Sequence, residues 1–298
     1  MSLIESALEK LRRGGGGEAT ASVVIPRVVP SAPIAVKAQQ TVASPEPMEP
    51  SRRTVIDSKA LREAGYLPEE GLERRFADHY RQVKRPLVEK ALTGGPEMRL
   101  LLVSSALPGD GKTFTSMNLA LSMARERDVS VLLVDADGPR ARVSDVLGMR
   151  GQPGLLDALA DEALDVESLV VRTDVRGLDI LPAGKFIENS TELLASSRMS
   201  QIATRLTARN PRRIVLFDSA PLLASSEARV LLRIPGQVVL VVRAGVTPRQ
   251  AIVDAVALVD RSKLQGLILN QTPLSQGGGY YEYGDYGGNE RASPDASS

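Results

Sequence analysis

The chain has 298 residues, 43% of them hydrophobic, and a formal net charge of +1. That is enough apolar material for a sizeable core, and too little basic excess for a dedicated nucleic-acid surface. With no cysteine and one histidine, disulfides, thiolate metal sites and cysteine nucleophiles are excluded. His79 lies among charged residues in a helical pattern and reads as a surface residue.

Residues 2–13 open the chain with Leu3, Ile4, Ala7, Leu8 and Leu11 at helical spacing, Ser2 as N-cap and Glu5 three residues on. This predicts a short amphipathic helix, marginal alone in water and suited either to fraying or to docking on a partner. Its acids and the lack of an apolar core argue against a secretion signal. Residues 14–56 are rich in Gly, Pro, Ala, Ser and Val, with prolines at 26, 30, 33, 45, 47 and 50, and read as a linker without packed structure. Residues 57–96 read as a charged helical lead-in. Within it, 72–92 carries apolar residues at 72, 76, 80, 83, 87, 88 and 92, and Pro86 predicts a kink or break.

Residues 97–275 alternate apolar runs with amphipathic stretches. Strands are expected at residues 99–104, 130–134, 178–182, 213–217, 237–242 and 264–269, and helices at about 112–127, 153–172, 190–209, 222–232 and 248–262. Apolar strands separated by helices predict an α/β fold, a doubly wound, mostly parallel sheet covered on both faces. Residues 276–298 lack apolar periodicity and read as a mobile tail. No run of 18 apolar residues occurs, so a membrane role is expected to run through a partner.

The first of these strands leads into ALPGDGKT, residues 106–113, and then a helix. This is the phosphate-loop pattern of P-loop NTPases, with Ala where the first Gly usually stands. Gly109 and Gly111 let the backbone curl so that N–H groups face phosphate oxygens, and the helix start adds its positive dipole end. Lys112 is expected to reach the β- and γ-phosphates of ATP, and Thr113 to ligate Mg²⁺. Nucleotide contacts are expected from Pro108, Gly109, Asp110, Gly111, Lys112, Thr113 and Phe114.

The next strand ends in VLLVDAD, placing Asp135 and Asp137 at the carboxyl end, where ligands bind in such sheets. Asp135 is well placed to hold Mg²⁺, directly or through water, and a carboxylate beside it is expected to accept the proton of an attacking hydroxyl; base and metal roles are not firmly divided between Asp135 and Asp137 on sequence. A later strand ends in FDSAP, whose Asp218 fits a water-mediated grip on Mg²⁺. Asn270, at a fourth strand end, is placed either to read adenine or simply to turn the chain.

LPGDGKT, VLLVDAD, FDSAP and a tail with Tyr280, Tyr281, Tyr283 and Tyr286 together resemble the bacterial tyrosine kinases that control polysaccharide synthesis and export. In particular, the chain looks like the stand-alone autokinases found beside exosortase systems. The resemblance spans roughly residues 72–286, and the opening MSLIESALEKLR is also similar to theirs. It implies a cytoplasmic, ATP- and Mg²⁺-dependent autokinase with those four tyrosines as phospho-acceptors. It further implies a ring-like homo-oligomer, contacts through Asp78, Arg81 and Lys84, and a separate transmembrane co-polymerase as activator that recruits the chain to the membrane. Leu107 stands where partitioning ATPases of this fold carry an extra lysine. The chain departs from the family in reading Asp137-Gly-Pro-Arg140, which displaces the arginine that usually follows the second acid. An ATPase switch without kinase activity and an ATP-binding scaffold are the competing readings.

Overall fold

The computed structural model describes residues 52–272. The strands are β1 (Arg52–Thr54), β2 (Leu100–Ser105), β3 (Ser130–Ala136), β4 (Val171–Thr173), β5 (Leu178–Leu181), β6 (Arg213–Ser219), β7 (Gln237–Arg243) and β8 (Leu264–Asn270). The helices are α1 (Ser58–Glu63), α2 (Glu73–Thr93), α3 (Lys112–Met123), α4 (Arg142–Val146), α5 (Leu155–Ala160), α6 (Ser190–Ala195), α7 (Ser197–Ala208), α8 (Ser226–Leu231) and α9 (Arg249–Leu258). Short 3₁₀ turns occupy Pro96–Arg99 and Val166–Leu169. One sheet runs in the order β1-β4-β5-β3-β6-β2-β7-β8. Its pairings are parallel except β4 with β5.

The central strands are buried on both faces, which is why they read as unbroken apolar runs. Alternation splits their side chains between two cores. Leu102, Leu132, Phe217 and Leu240 face the layer of α5 and α7. Leu101, Val103, Leu133 and Leu216 face the other, with Met117 and Met123 of α3, Tyr80, Leu87 and Ala91 of α2, and Leu61 of α1. The lead-in helices therefore belong to the same packed body as the sheet.

Four expectations change. The packed structure begins inside the supposed linker, because β1 pairs with β4 and Ile56 is buried. Pro86 does not break α2: it sits on the exposed side while Tyr80, Lys84, Leu87 and Ala91 hold the helix to the core. The helix expected at 153–172 is replaced by α5, a 3₁₀ turn and β4. Asp161 accepts the Ala163 N–H and Asp165 accepts the Glu167 N–H, so short carboxylates compete with the helical ladder. The helix expected at 190–209 divides into α6 and α7 at Ser196, which is extended with ψ 161° and whose hydroxyl donates to the Leu193 carbonyl. The helix of 2–13 and the tail tyrosines lie outside the described residues.

Candidate active site

β2 lies between β6 and β7, and β3 lies on the far side of β6. The register of β3 with β6 sets Asp135 directly opposite Asp218, so two acids far apart in sequence become neighbours at the carboxyl end of the sheet. The phosphate loop leaves β2 at the same end.

Gly109 and Gly111 have φ of 88° and 91°, a left-handed backbone that glycine adopts without strain. Gly111 is also held by space, since a Cβ there would collide with the Asn270 amide. Asn270 donates to the Asp110 carbonyl at 3.0 Å, so this side chain braces the loop, where sequence reading had it read adenine or make a turn. Asp110, buried to 3% exposure, does the same from within. Its Oδ2 accepts the Leu107 N–H at 3.0 Å and its Oδ1 accepts the Thr247 hydroxyl at 2.7 Å. Thr247 in turn accepts the Arg243 N–H at 2.9 Å, tying the loop to the end of β7. Pro108 and Gly109 stay exposed at the tip. The Phe114 ring packs edge-on against Phe76 of α2, with centroids 6.0 Å apart. The N–H groups of Lys112, Thr113 and Phe114 open α3 and have no carbonyl partner within the helix, the arrangement that receives an anion.

Lys112 and Asp137 form a buried ion pair, Nζ to Oδ2 3.2 Å. The ammonium lies off the line a hydrogen bond needs, so Asp137 Oδ2 is a buried acceptor without a donor. Asp218 accepts the Thr113 hydroxyl on Oδ2 and the Ser116 hydroxyl on Oδ1, both at 2.8 Å. Asp135 accepts the backbone N–H and the hydroxyl of Ser144 on Oδ2, each at 2.8 Å, and the Asp137 N–H on Oδ1 at 3.3 Å. The Ser144 oxygen accepts the Ala183 N–H at 2.9 Å, which turns its own hydrogen toward Asp135. Burial, with Asp218 alongside, pushes Asp135 up to about 7. Burial pushes Asp218 up to about 6, opposed chiefly by Lys112.

Ser116, Ser144 and Thr247 were missed from sequence. Ser116 was legible, three residues after Thr113 on the same helical face. Ser144 was not: it reaches Asp135 only because Asp137-Gly-Pro-Arg140 turns and Ala141 adopts φ 43°. Arg140 is exposed on that turn.

The donor set suits a small, hard cation. No group of three His, Cys, Asp or Glu side chains among the described residues forms a metal cage. The Thr113 hydroxyl with Asp135 and Asp218 is instead the sparse all-oxygen set magnesium accepts when phosphate and water complete its shell.

The expected contact triad on α2 does not hold together. Asp78 and Arg81 are exposed and pair with each other at 2.9 Å. Lys84 is buried, donates to the Ser122 carbonyl at 2.6 Å and pairs with Glu126 at 2.7 Å. Three residues of helix turn about 60° short of a full revolution, so two such steps carry Lys84 round to the core.

Residues 98–263 match the AAA domain family, so the phosphate loop lies in a nucleotide-binding domain. Tyrosine-protein kinase YwqD of Bacillus subtilis is 33% identical over 193 residues, 64% of this chain and 78% of that protein. Tyrosine-protein kinase wzc of Salmonella typhimurium is 30% identical over 63% of this chain, which spans only 26% of that longer protein. The kinase domain of the Escherichia coli tyrosine kinase ETK superposes with a TM-score of 0.61 at 26% identity, covering 76% of this chain and 97% of that one. With this fold, this loop and YwqD matched over 78% of its length, the chain belongs to the bacterial tyrosine-protein kinases, P-loop enzymes that phosphorylate protein tyrosine.

Proposed function

We propose that the chain is an ATP- and Mg²⁺-dependent autokinase that phosphorylates Tyr280, Tyr281, Tyr283 and Tyr286 of a neighbouring copy, and that it regulates exopolysaccharide synthesis and export. The observation that carries this reading is the convergence of Lys112, Asp135, Asp137 and Asp218 on one phosphate loop. The loop N–H groups and the start of α3 receive the phosphates. Lys112 moves from Asp137 to the β- and γ-phosphate oxygens. Thr113, Asp135 and Asp218 hold the magnesium, which when bound neutralises phosphate charge.

A tail tyrosine enters in line with the γ-phosphorus. Its phenolic oxygen forms the new P–O bond, the bond to the β–γ bridging oxygen breaks, ADP leaves, and the phenolic proton passes to a carboxylate. Asp135 and Asp137 are the two groups placed for that proton. Asp135 is shared with the proposed metal site, whereas Asp137 Oδ2 is a buried acceptor without a hydrogen-bond donor. Ten extended residues reach roughly 33 Å, so a tail can span from one subunit to the next. No helix among the described residues is long and apolar enough to cross a membrane. By the family resemblance, the proposed activator is a separate transmembrane co-polymerase that recruits a cytoplasmic, ring-forming kinase to the inner face of the membrane.

Mass spectrometry of the full chain after incubation with Mg-ATP tests the reading, with Lys112→Met as control. Phosphate on 280–286 that vanishes in the control is the expected result. Nucleotide turnover without any tail phosphate, even with the co-polymerase's cytosolic segment added, would refute it.

A further inference from the structure

Beside α3, away from the phosphate loop, lies a cavity of about 600 Å³ bounded by α1, α2, the end of α3 and the β4–β5 turn. Leu67, Phe76, Tyr80 and Leu121 give it an apolar floor. Its rim carries Arg125, Arg127 and Arg176, all exposed. The acids of the same rim are already matched, Glu73 with Arg62 at 3.3 Å and Glu126 with Lys84 at 2.7 Å. Among the described residues no ion pair reaches the three rim arginines. An apolar floor under unmatched guanidinium groups fits a ligand that is aromatic and anionic together. Arginine binds phosphate oxygens in bidentate fashion and stacks on rings.

The chain contains such a segment. Residues 280–286 read YYEYGDY, four tyrosines and two acids with no basic residue among them. Each phosphotyrosine adds about −1.5 to −2 charges. The reach is adequate too. Tyr286 lies fourteen positions beyond Thr272, an extended span of roughly 48 Å. A sheet of eight strands is about 34 Å wide and its seven-residue strands about 23 Å long, a diagonal of roughly 41 Å.

We propose that this cleft binds the chain's own tail once it is phosphorylated, Tyr286 first, and so withholds the product tail from the active site. The proposal rests on the tail being the phospho-acceptor, and its test is made independent of that reading by a synthetic ligand. A labelled peptide of residues 278–288 with phosphate on Tyr286 is titrated by fluorescence anisotropy against the full chain carrying Phe at all four tail positions. The phosphopeptide is expected to bind at least about tenfold more tightly than its unphosphorylated twin. In Arg127→Ala/Arg176→Ala that preference is expected to disappear, with nucleotide affinity and melting temperature unchanged. The single variants serve the same comparison should the double one fold poorly. Equal affinity for the two peptides, or a preference that survives loss of the arginines, would overturn the proposal.

Discussion

Asp218 is fully buried, and its carboxyl is pushed from the ordinary 3.8 to about 6 by that burial, even with Lys112, Thr113 and Ser116 favouring the charged form. A folded-state pKa above the unfolded one means stability that is complete in acid and lost as pH rises through the folded value. At pH 8 the ionised carboxylate therefore costs the nucleotide-free fold about 3 kcal/mol, roughly two units at 1.36 kcal/mol each. Asp218→Asn keeps the shape and accepts or donates at the two hydroxyls without the charge. It also relieves Asp135, whose carboxyl is held up partly by Asp218. For a domain of this size, about 3 kcal/mol corresponds to roughly 6–12 °C in melting temperature. The nucleotide-free variant should therefore melt that far above the parent at pH 8 while losing tyrosine phosphorylation. The gap should narrow as pH falls below about 6 and close only below the ordinary 3.8, where the carboxyl is protonated in the unfolded chain as well as in the fold. Thermal melts across pH measure this. Equal melting temperatures at pH 8, or a gap that persists in acid, would refute the electrostatic account.

Thr247→Val strips the donor from buried Asp110 Oδ1 and the acceptor from the Arg243 N–H. Leaving such groups unpaired costs about 1–3 kcal/mol, so nucleotide affinity should fall about tenfold in a fluorescent-nucleotide titration; unchanged affinity would show that the loop does not depend on this brace. Lys84→Met removes the donor to the Ser122 carbonyl and the ion pair with Glu126, and should cost about 2 kcal/mol in denaturant titrations at low protein concentration. Arg81→Ala, on an exposed pair, should stay within about 0.5 kcal/mol. The reverse ranking would return Lys84 to an intersubunit role.

The sheet was legible where burial is two-sided. The runs of β2, β3, β6 and β7 could pack only between helical layers, and their carboxyl ends marked the acids. Short elements were not legible. β1 and β4 have three residues each, too few for periodicity to declare; β4 forms on the edge β5 offers, and β1 on the edge of β4. In the site, Lys112, Thr113, Asp135, Asp137 and Asp218 were named by motif, and the fold brings them together beside the loop. Residues that hold these in place were found only in three dimensions. Ser144 reaches Asp135 through a left-handed alanine, and Thr247 reaches Asp110 across 137 positions of sequence. Asn270 and Asp110 were named as nucleotide contacts, yet each spends its side chain on the loop itself. A motif records which residues recur around a phosphate, and bracing a loop constrains residue type as firmly as touching a ligand does.

The same distinction bears on α2. Phe76 packs against Phe114 two residues after Lys112, and Lys84 donates to the last turn of α3. Phe76 and Tyr80 also floor the arginine-rimmed cleft, while Asp78 and Arg81 face outward. One rigid helix thus touches the phosphate-loop helix at both ends, the proposed tail site in the middle, and the surface proposed for subunit contact. Any ligand that moves α2 must move α3 with it, because buried contacts tie them along their length. Coupling between tail docking and nucleotide affinity follows, and it must be reciprocal. If the phosphopeptide alters the dissociation constant of a nucleotide analogue by some factor, the nucleotide must alter that of the peptide by the same factor. Two titrations on the full chain measure both. A peptide bound in the cleft with no effect in either direction would show that α2 is a passive wall.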